Sequence, residues 1–194
     1  LETAANLYLS LLSFLRRVIG SGMPLRPARC YKGVDKPPYT RSDYIDGVPQ
    51  TKIAKFVMGN PNGSFTHKLE LVVLEAAQIR HNALEAGRVA THKYLSKVLG
   101  EDRFCFIVRV YPHQVLRENK MMAFAGADRL QEGMRRAFGK PIGLAARVNP
   151  GDVVAEVRVN RDALEAAKEA LRRFRDKLGV PSTIAISELK AVSS

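Results

Sequence analysis

Tryptophan is absent from the 194 residues, and cysteine occurs only at Cys30 and Cys105. Two thiols exclude a disulfide-dense scaffold and a four-cysteine zinc site. Histidine is scarce as well. His67, His81, His92 and His113 show no metal-ligand spacing, and no HExxH motif occurs. The chain is also short of acid: 19 Asp and Glu stand against 31 Lys and Arg, for a formal charge of +12. Such an excess on a small protein is self-repulsive without a polyanion, so nucleic acid or an anionic membrane leads the partner classes. The apolar run Leu7 to Leu15, LYLSLLSFL, is too short to span a bilayer. Its arginines, Arg16 and Arg17, follow the run, whereas a signal peptide carries its positive charge in front.

What is present fits one globular unit. Hydrophobic residues make up 46% and charged residues 26%, and a single core grows comfortably to this length. Residues 1–22 read as a leader or extension outside the fold, ending before Met23-Pro24-Leu25-Arg26. The competing reading is an amphipathic helix that touches a membrane or partner. Residues 23–194 then form one domain.

Arg26 to Tyr44 has no hydrophobic period. It interleaves Arg26, Arg29, Lys32, Lys36 and Arg41 with Tyr31, Tyr39 and Tyr44, and Pro27, Pro37 and Pro38 keep it extended. Cations for phosphates with rings for stacking suit RNA. The alternative is a solvated basic arm whose tyrosines pack on their own domain. Cys30 lies beside Arg29 in this arm, whereas Cys105 sits in a β run and reads as a small hydrophobe.

Strands are predicted over Ile53–Met58, Phe65–Leu74, Phe104–Val110, Ile142–Val148, Val153–Val159 and Thr183–Leu189. Asn82 and Glu85 resemble a capping pair for a helix with the stripe Ala83, Ala86, Ala90, Tyr94 and Val98, stopped by Gly100. A second helix, capped by Asn160 or Asp162, carries Leu164, Ala167, Leu171, Phe174 and Leu178 and ends at Gly179 and Pro181. The fold class is α+β: two layers, a mixed or antiparallel sheet and two main helices. The expected core is Phe56, Leu71, Phe106, Val157 and Ile186 beneath Leu164, Leu171 and Phe174.

Pro112 to Pro141 is different in kind. Gly126, Gly133 and Gly139 punctuate it, and Met121, Met122, Phe124, Met134 and Phe138 form no stripe. A glycine-broken basic loop of this length is functional or disordered, and it suits a finger that orders only against RNA. It is not a phosphate-binding P-loop: Gly133 and Gly139 have one residue too many between them, and Pro141 follows Lys140 where Ser or Thr is required. His81 and His92, eleven residues apart, read as structural. Catalysis has little support: a Cys30–His nucleophile pair stays open as an alternative, yet no third group points to it, and no cofactor, metal or catalytic group is expected. A free-standing RNA-dependent enzyme is the alternative function.

Three strings carry a resemblance. Met23-Pro24-Leu25-Arg26-Pro27-Ala28-Arg29-Cys30-Tyr31 resembles the start of the archaeal and eukaryotic large-subunit ribosomal protein family called ten-e, a relative of bacterial large-subunit protein sixteen. Arg80-His81-Asn82-Ala83-Leu84-Glu85-Ala86 is similar to the same family. So is the run from Asn119-Lys120-Met121 through Ala125-Gly126-Ala127-Asp128-Arg129 to Gly139-Lys140-Pro141. The likeness spans Met23 to about Leu189. It implies an α/β-hammerhead fold and a non-catalytic place in the large ribosomal subunit, in the cytoplasm, near the central protuberance and tRNA corridor. The implied partners are large-subunit rRNA, tRNA, neighbouring ribosomal proteins and assembly factors, with no membrane. With the charge pattern, the resemblance marks Arg26, Arg29, Tyr31, Lys32, Lys36 and Arg41, with His67, Arg80 and His81, as rRNA contacts. The loop at about 117–140 is implied to point toward tRNA and the peptidyl-transferase region through Arg117, Lys120, Arg129, Arg135, Arg136 and Lys140.

Overall fold

A computed structural model describes residues 26–119 and 137–189. The apolar run at Leu7 to Leu15, the proposed extension 1–22 and the loop residues Lys120, Arg129, Arg135 and Arg136 lie outside the described residues.

Among the described residues, eight strands and two long helices follow one another. They are β1 (Val57–Gly59), β2 (His67–Val73), β3 (Ala77–Arg80), α1 (His81–Leu99), β4 (Phe104–Val108), β5 (Gln114–Glu118), β6 (Lys140–Val148), β7 (Val153–Val159), α2 (Leu164–Leu178) and β8 (Ser182–Glu188). The class is α+β, as expected, but the strands form two sheets. The larger has the order β1-β4-β7-β2-β8 and the smaller β3-β6-β5. Every pairing is antiparallel.

The chain changes sheet four times, and two of these passages meet at one corner. β2 leads into β3, and β6 into β7 through the turn Asn149-Pro150-Gly151-Asp152. The turn closes on itself, with the Asn149 amide donating to Asp152 Oδ2 at 2.8 Å, and it binds its neighbour, with the Gly151 amide donating to the Val73 carbonyl at 2.8 Å.

Strand alternation decides where the core lies. In the larger sheet Leu69, Leu71, Phe104, Phe106, Ala155 and Val157 share the face that receives α2, and all are buried. Phe174 of α2 meets Phe106 edge-on, with ring centroids 5.8 Å apart, a geometry favoured by the ring quadrupoles. Leu171 and Leu178 are buried beside it, and Gly179 closes α2 in the left-handed conformation. Helix α1 crosses α2 closely. Thr91 Oγ1 donates to the Ala170 carbonyl at 3.2 Å, and a Cβ on Gly87 would sit 3.0 Å from the Phe174 ring.

Several expectations are corrected. The buried face of α1 is His81, Leu84, Gly87, Thr91 and Leu95, one position round from the predicted stripe. Small Gly87 and Thr91 let α2 approach, and that close packing outweighs the hydrophobicity of Tyr94 and Val98. Asn82 does not cap α1, which leaves β3 without a linker, and Glu85 pairs with Arg88 at 2.6 Å instead. Neither Asn160 nor Asp162 caps α2 through its side chain; a 3-10 turn at Arg161–Ala163 leads in. Ile186 is 47% exposed because β8 is a sheet edge. Leu164 and Phe56 are half-buried against the core. Two strands, β3 and β5, were not anticipated, and the basic arm contains short 3-10 turns at Ala28–Tyr31 and Ser42–Tyr44.

Candidate nucleic-acid interface

The arm is shaped by the smaller sheet. One face of that sheet gives Ala77, Ile79, Ala146 and Val148 to the main core. The opposite face, by register, presents Gln78, Arg80 and Arg147. These three polar side chains hold the arm by its main chain. Gln78 donates to the Gly33 carbonyl, Arg147 to the Val34 carbonyl, and Arg80 to the Arg26 carbonyl at 2.8 Å. An extended segment with many prolines has no ladder of its own, so its carbonyls need such donors. The Arg80 guanidinium also lies over the Tyr31 ring, 5.5 Å from its centroid. Burial, then the nearby Glu118 carboxylate, push the Tyr31 phenol above its ordinary value against the opposing charges of Arg80 and Arg26.

Further on, the arm rounds the edge strand β5. The Tyr39 amide donates to Gln114 Oε1 at 2.8 Å, and the Val115 amide donates to the Tyr39 carbonyl at 2.9 Å. The free edge of the sheet is thereby covered. Ile45 then packs with Val115 and Leu144 in a small apolar cluster.

The two ends of the long loop meet at this edge. Glu118 of β5 is opposite Lys140 of β6. Gly139 has φ 78°, and a Cβ there would lie 2.5 Å from the Glu118 carbonyl carbon, so glycine is what lets the loop close. Arg117 is clamped at the same place. Its guanidinium sits 3.4 Å from the Phe138 centroid and 5.1 Å from that of Tyr39, and the two rings meet edge-on.

The predicted residues therefore divide. Arg26, paired with Glu118, joins Tyr31 and Arg80 in the arm's anchorage, and Arg117 forms the loop's foot with Lys140 beside it. Lys32 pairs with Glu75 at 3.2 Å. Arg29, Lys36 and Arg41 are exposed. Their side chains have no hydrogen-bond or ion-pair partner among the described residues. His67 lies apart on the larger sheet, 2.8 Å from the Thr66 hydroxyl and 3.8 Å from Glu188. His81 is only 7% exposed, and its Nδ1 accepts from the Lys52 amide at 3.3 Å. Burial, with Lys52 and Arg80 nearby, pushes its imidazole below the ordinary value. It braces the β3–α1 junction and leaves little surface for a partner. His92 packs on Phe104 at the other end of α1, so the two histidines share no site.

Sequence reasoning missed two features. Glu156, 1% exposed in the centre of β7, accepts from Arg158 Nε at 2.6 Å and Arg109 Nε at 2.7 Å. Burial pushes its carboxyl up, but the hydrogen bonds from Arg158 and Arg109 outweigh this and hold it below the ordinary carboxylate value. A lone acid in VVAEVRV was the available signal. The second is a ladder of Phe56, Tyr111 and His113, with successive centroids 5.4 and 4.5 Å apart. Tyr111 and His113 are two residues apart, but Phe56 joins them from 55 positions away, which no local pattern shows.

Among the described residues no group of three or more His, Cys, Asp or Glu could hold a metal ion, and no helix is long and apolar enough to cross a membrane. Residues 34–185 match the family model described as Ribosomal protein L16p/L10e. The chain belongs to that family. Its members are structural ribosomal proteins, not enzymes. The large ribosomal subunit protein uL16 of Staphylothermus marinus is 63% identical over 168 residues, covering 87% of this chain and 97% of that protein. The uL16 of Hyperthermus butylicus is also 63% identical, over 173 residues, with 87% and 96% covered. That of Sulfolobus acidocaldarius is 59% identical over 169 residues, with 86% and 96% covered. The L16p/L10e match takes in both sheets and both helices and includes the arm from Val34 on.

Proposed function

We propose that this protein is a structural constituent of the large ribosomal subunit that binds large-subunit rRNA through its basic arm and carries the loop at about 117–140 toward tRNA. The observation that carries the reading is the division of labour within the arm. Its carbonyls are consumed by Gln78, Arg80 and Arg147, while Arg29, Lys36 and Arg41 are left exposed. A basic segment fixed by its backbone presents its side chains without a large ordering cost, and arginine forks suit phosphate oxygens. Neighbouring RNA is then read by shape, ribose hydroxyls and stacking.

The family relationship supports the rest: a place near the central protuberance in cytoplasmic ribosomes, contacts with neighbouring ribosomal proteins, and a part in late subunit assembly. Arg117 and Lys140 frame the loop's foot, and Lys120, Arg129, Arg135 and Arg136 supply its charge.

Binding of the isolated protein to large-subunit rRNA fragments across a salt series tests the reading. Steep salt dependence is expected, and Arg29→Ala should lower the magnitude of the log–log slope by about 0.7 to 0.9. Affinity that stays flat with salt would sink the arm's assignment. Deleting residues 123–136 tests the loop: the domain should stay folded while tRNA handling or late maturation suffers, and normal translation by such a strain would refute its role.

A further inference from the structure

The arm and loop do not account for all of the exposed positive charge. Between α1 and α2, on the side away from the sheet, runs a trough of about 750 Å³. Ala90, Tyr94 and Val98 form its floor, at i, i+4 and i+8 of α1. Lys93 and Lys97 line one side, and Arg173 and Lys177 of α2 the other, with Asp176 the single acid lining it. Asp176 lies 3.9 Å from Arg175. Arg173 is held by Glu169 at 3.1 Å and lies over the Tyr94 ring, 4.0 Å from its centroid. Lys93, Lys97 and Lys177 are exposed and have no ion-pair partner among the described residues.

We propose that this trough is a second RNA-binding surface, in which one RNA strand lies along the helix pair with its phosphates on the two rows of cations. The proposal rests on the RNA-binding reading above and adds a site outside the arm and loop. Spacing supports it. Residues four apart on a helix are separated by about 6 Å along the axis, close to the step between successive phosphates of an RNA strand. Lys93 and Lys97 repeat at that interval, and so do Arg173 and Lys177. The floor supports it too. Tyr94, already paired with a guanidinium, offers a ring edge and apolar surface to riboses. Charge decides between occupants. A partner helix would need apolar shoulders on both sides of the floor, and here both sides are cationic. A strand of phosphates meets them without rearrangement.

The test is the triple variant Lys93→Gln, Lys97→Gln, Lys177→Gln, measured with a large-subunit rRNA transcript over a salt series beside wild type and Arg29→Ala. All three positions are exposed, so the thermal unfolding curve should be unchanged. The triple variant should lower the slope magnitude by about 2. A slope equal to wild type, while Arg29→Ala still lowers it, overturns the trough alone and assigns that surface to solvent or an acidic protein. A wild-type protein without salt dependence overturns the RNA-binding reading as a whole. Hydroxyl-radical cleavage from a probe on an Ala90→Cys variant in a Cys30→Ser background supplies an independent readout: strand scission in the rRNA beyond that of the Cys30→Ser control supports the site, and none opposes it.

Discussion

The larger sheet and the smaller one bury very different surfaces. Under α1 and α2 the larger sheet packs Leu69, Leu71, Phe104, Phe106 and Val157 with Leu171 and Phe174, all shielded from solvent. The smaller sheet has its own cluster of only Ile45, Val115 and Leu144, and it retains the arm with side-chain donors from Gln78, Arg80 and Arg147. Apolar burial is not weakened by charge screening, whereas hydrogen bonds and cation–π contacts at a half-exposed surface are individually weak. One half thus supplies a foundation, and the other presents a polar surface that a polyanion can complete.

The comparison can be broken most directly at Phe174. Phe174→Ala removes a ring that touches Phe106 and approaches Gly87, and it should cost about 3 to 5 kcal/mol in urea unfolding. A loss comparable to that of an arm variant would mean that the helices are not the foundation. Glu156→Ala is a sharper probe, since it removes a charge from the apolar half. With Arg109 and Arg158 half-exposed and able to turn to water, the expected loss is about 1 to 3 kcal/mol. The carboxyl is depressed in the fold, so its contribution is present above the ordinary carboxylate value and disappears as pH falls through the depressed one. The variant should flatten that part of the acid-unfolding curve.

Arg147→Ala examines the other half. It should cost about 0.5 to 1.5 kcal/mol globally, while amide exchange speeds up around Val34 and leaves β7 protected. Equal acceleration in both places would show that the arm and the core unfold together. The smallest effect belongs to His81. Its imidazole titrates below its ordinary value near 6.5 in the fold, so the unfolded chain binds the proton more readily. Stability should be complete above that value and decline as pH falls toward the folded one. His81→Gln should remove this slope in unfolding measured from pH 5 to 8.

The same contrast explains what could be read from the sequence. β7 matched its predicted span, and α2 was legible because Leu171, Phe174 and Leu178 repeat strongly at helical spacing. Those elements are set by their own pattern. α1 was legible in extent but not in orientation, because Gly87 and Thr91 are buried by a neighbour's approach that hydrophobicity does not encode. β3 and β5 were missed because each is short and becomes a strand only by pairing with β6. The arm's composition pointed to cations and rings, but not to which ones anchor it. Tyr31 and Tyr39 are half-buried and Arg26 is tied down by an ion pair, through contacts with residues some 50 to 100 positions away in the chain, while Arg29, Lys36 and Arg41 stay outward.

β6 runs through both regions, and it behaves as a cantilever. Val148 and Ala146 are rooted in the main core, Leu144 rests on the small cluster, and Lys140 stands at the tip beside the loop. At about 3.3 Å per residue the beam projects roughly 26 Å from Val148 to Lys140, so a tilt of about 2° at its root displaces the tip by about 1 Å. The aim of the loop is therefore an optical-lever problem. Its accuracy is set not only at the tip but at the far end, by how tightly Val148 is gripped in the main core.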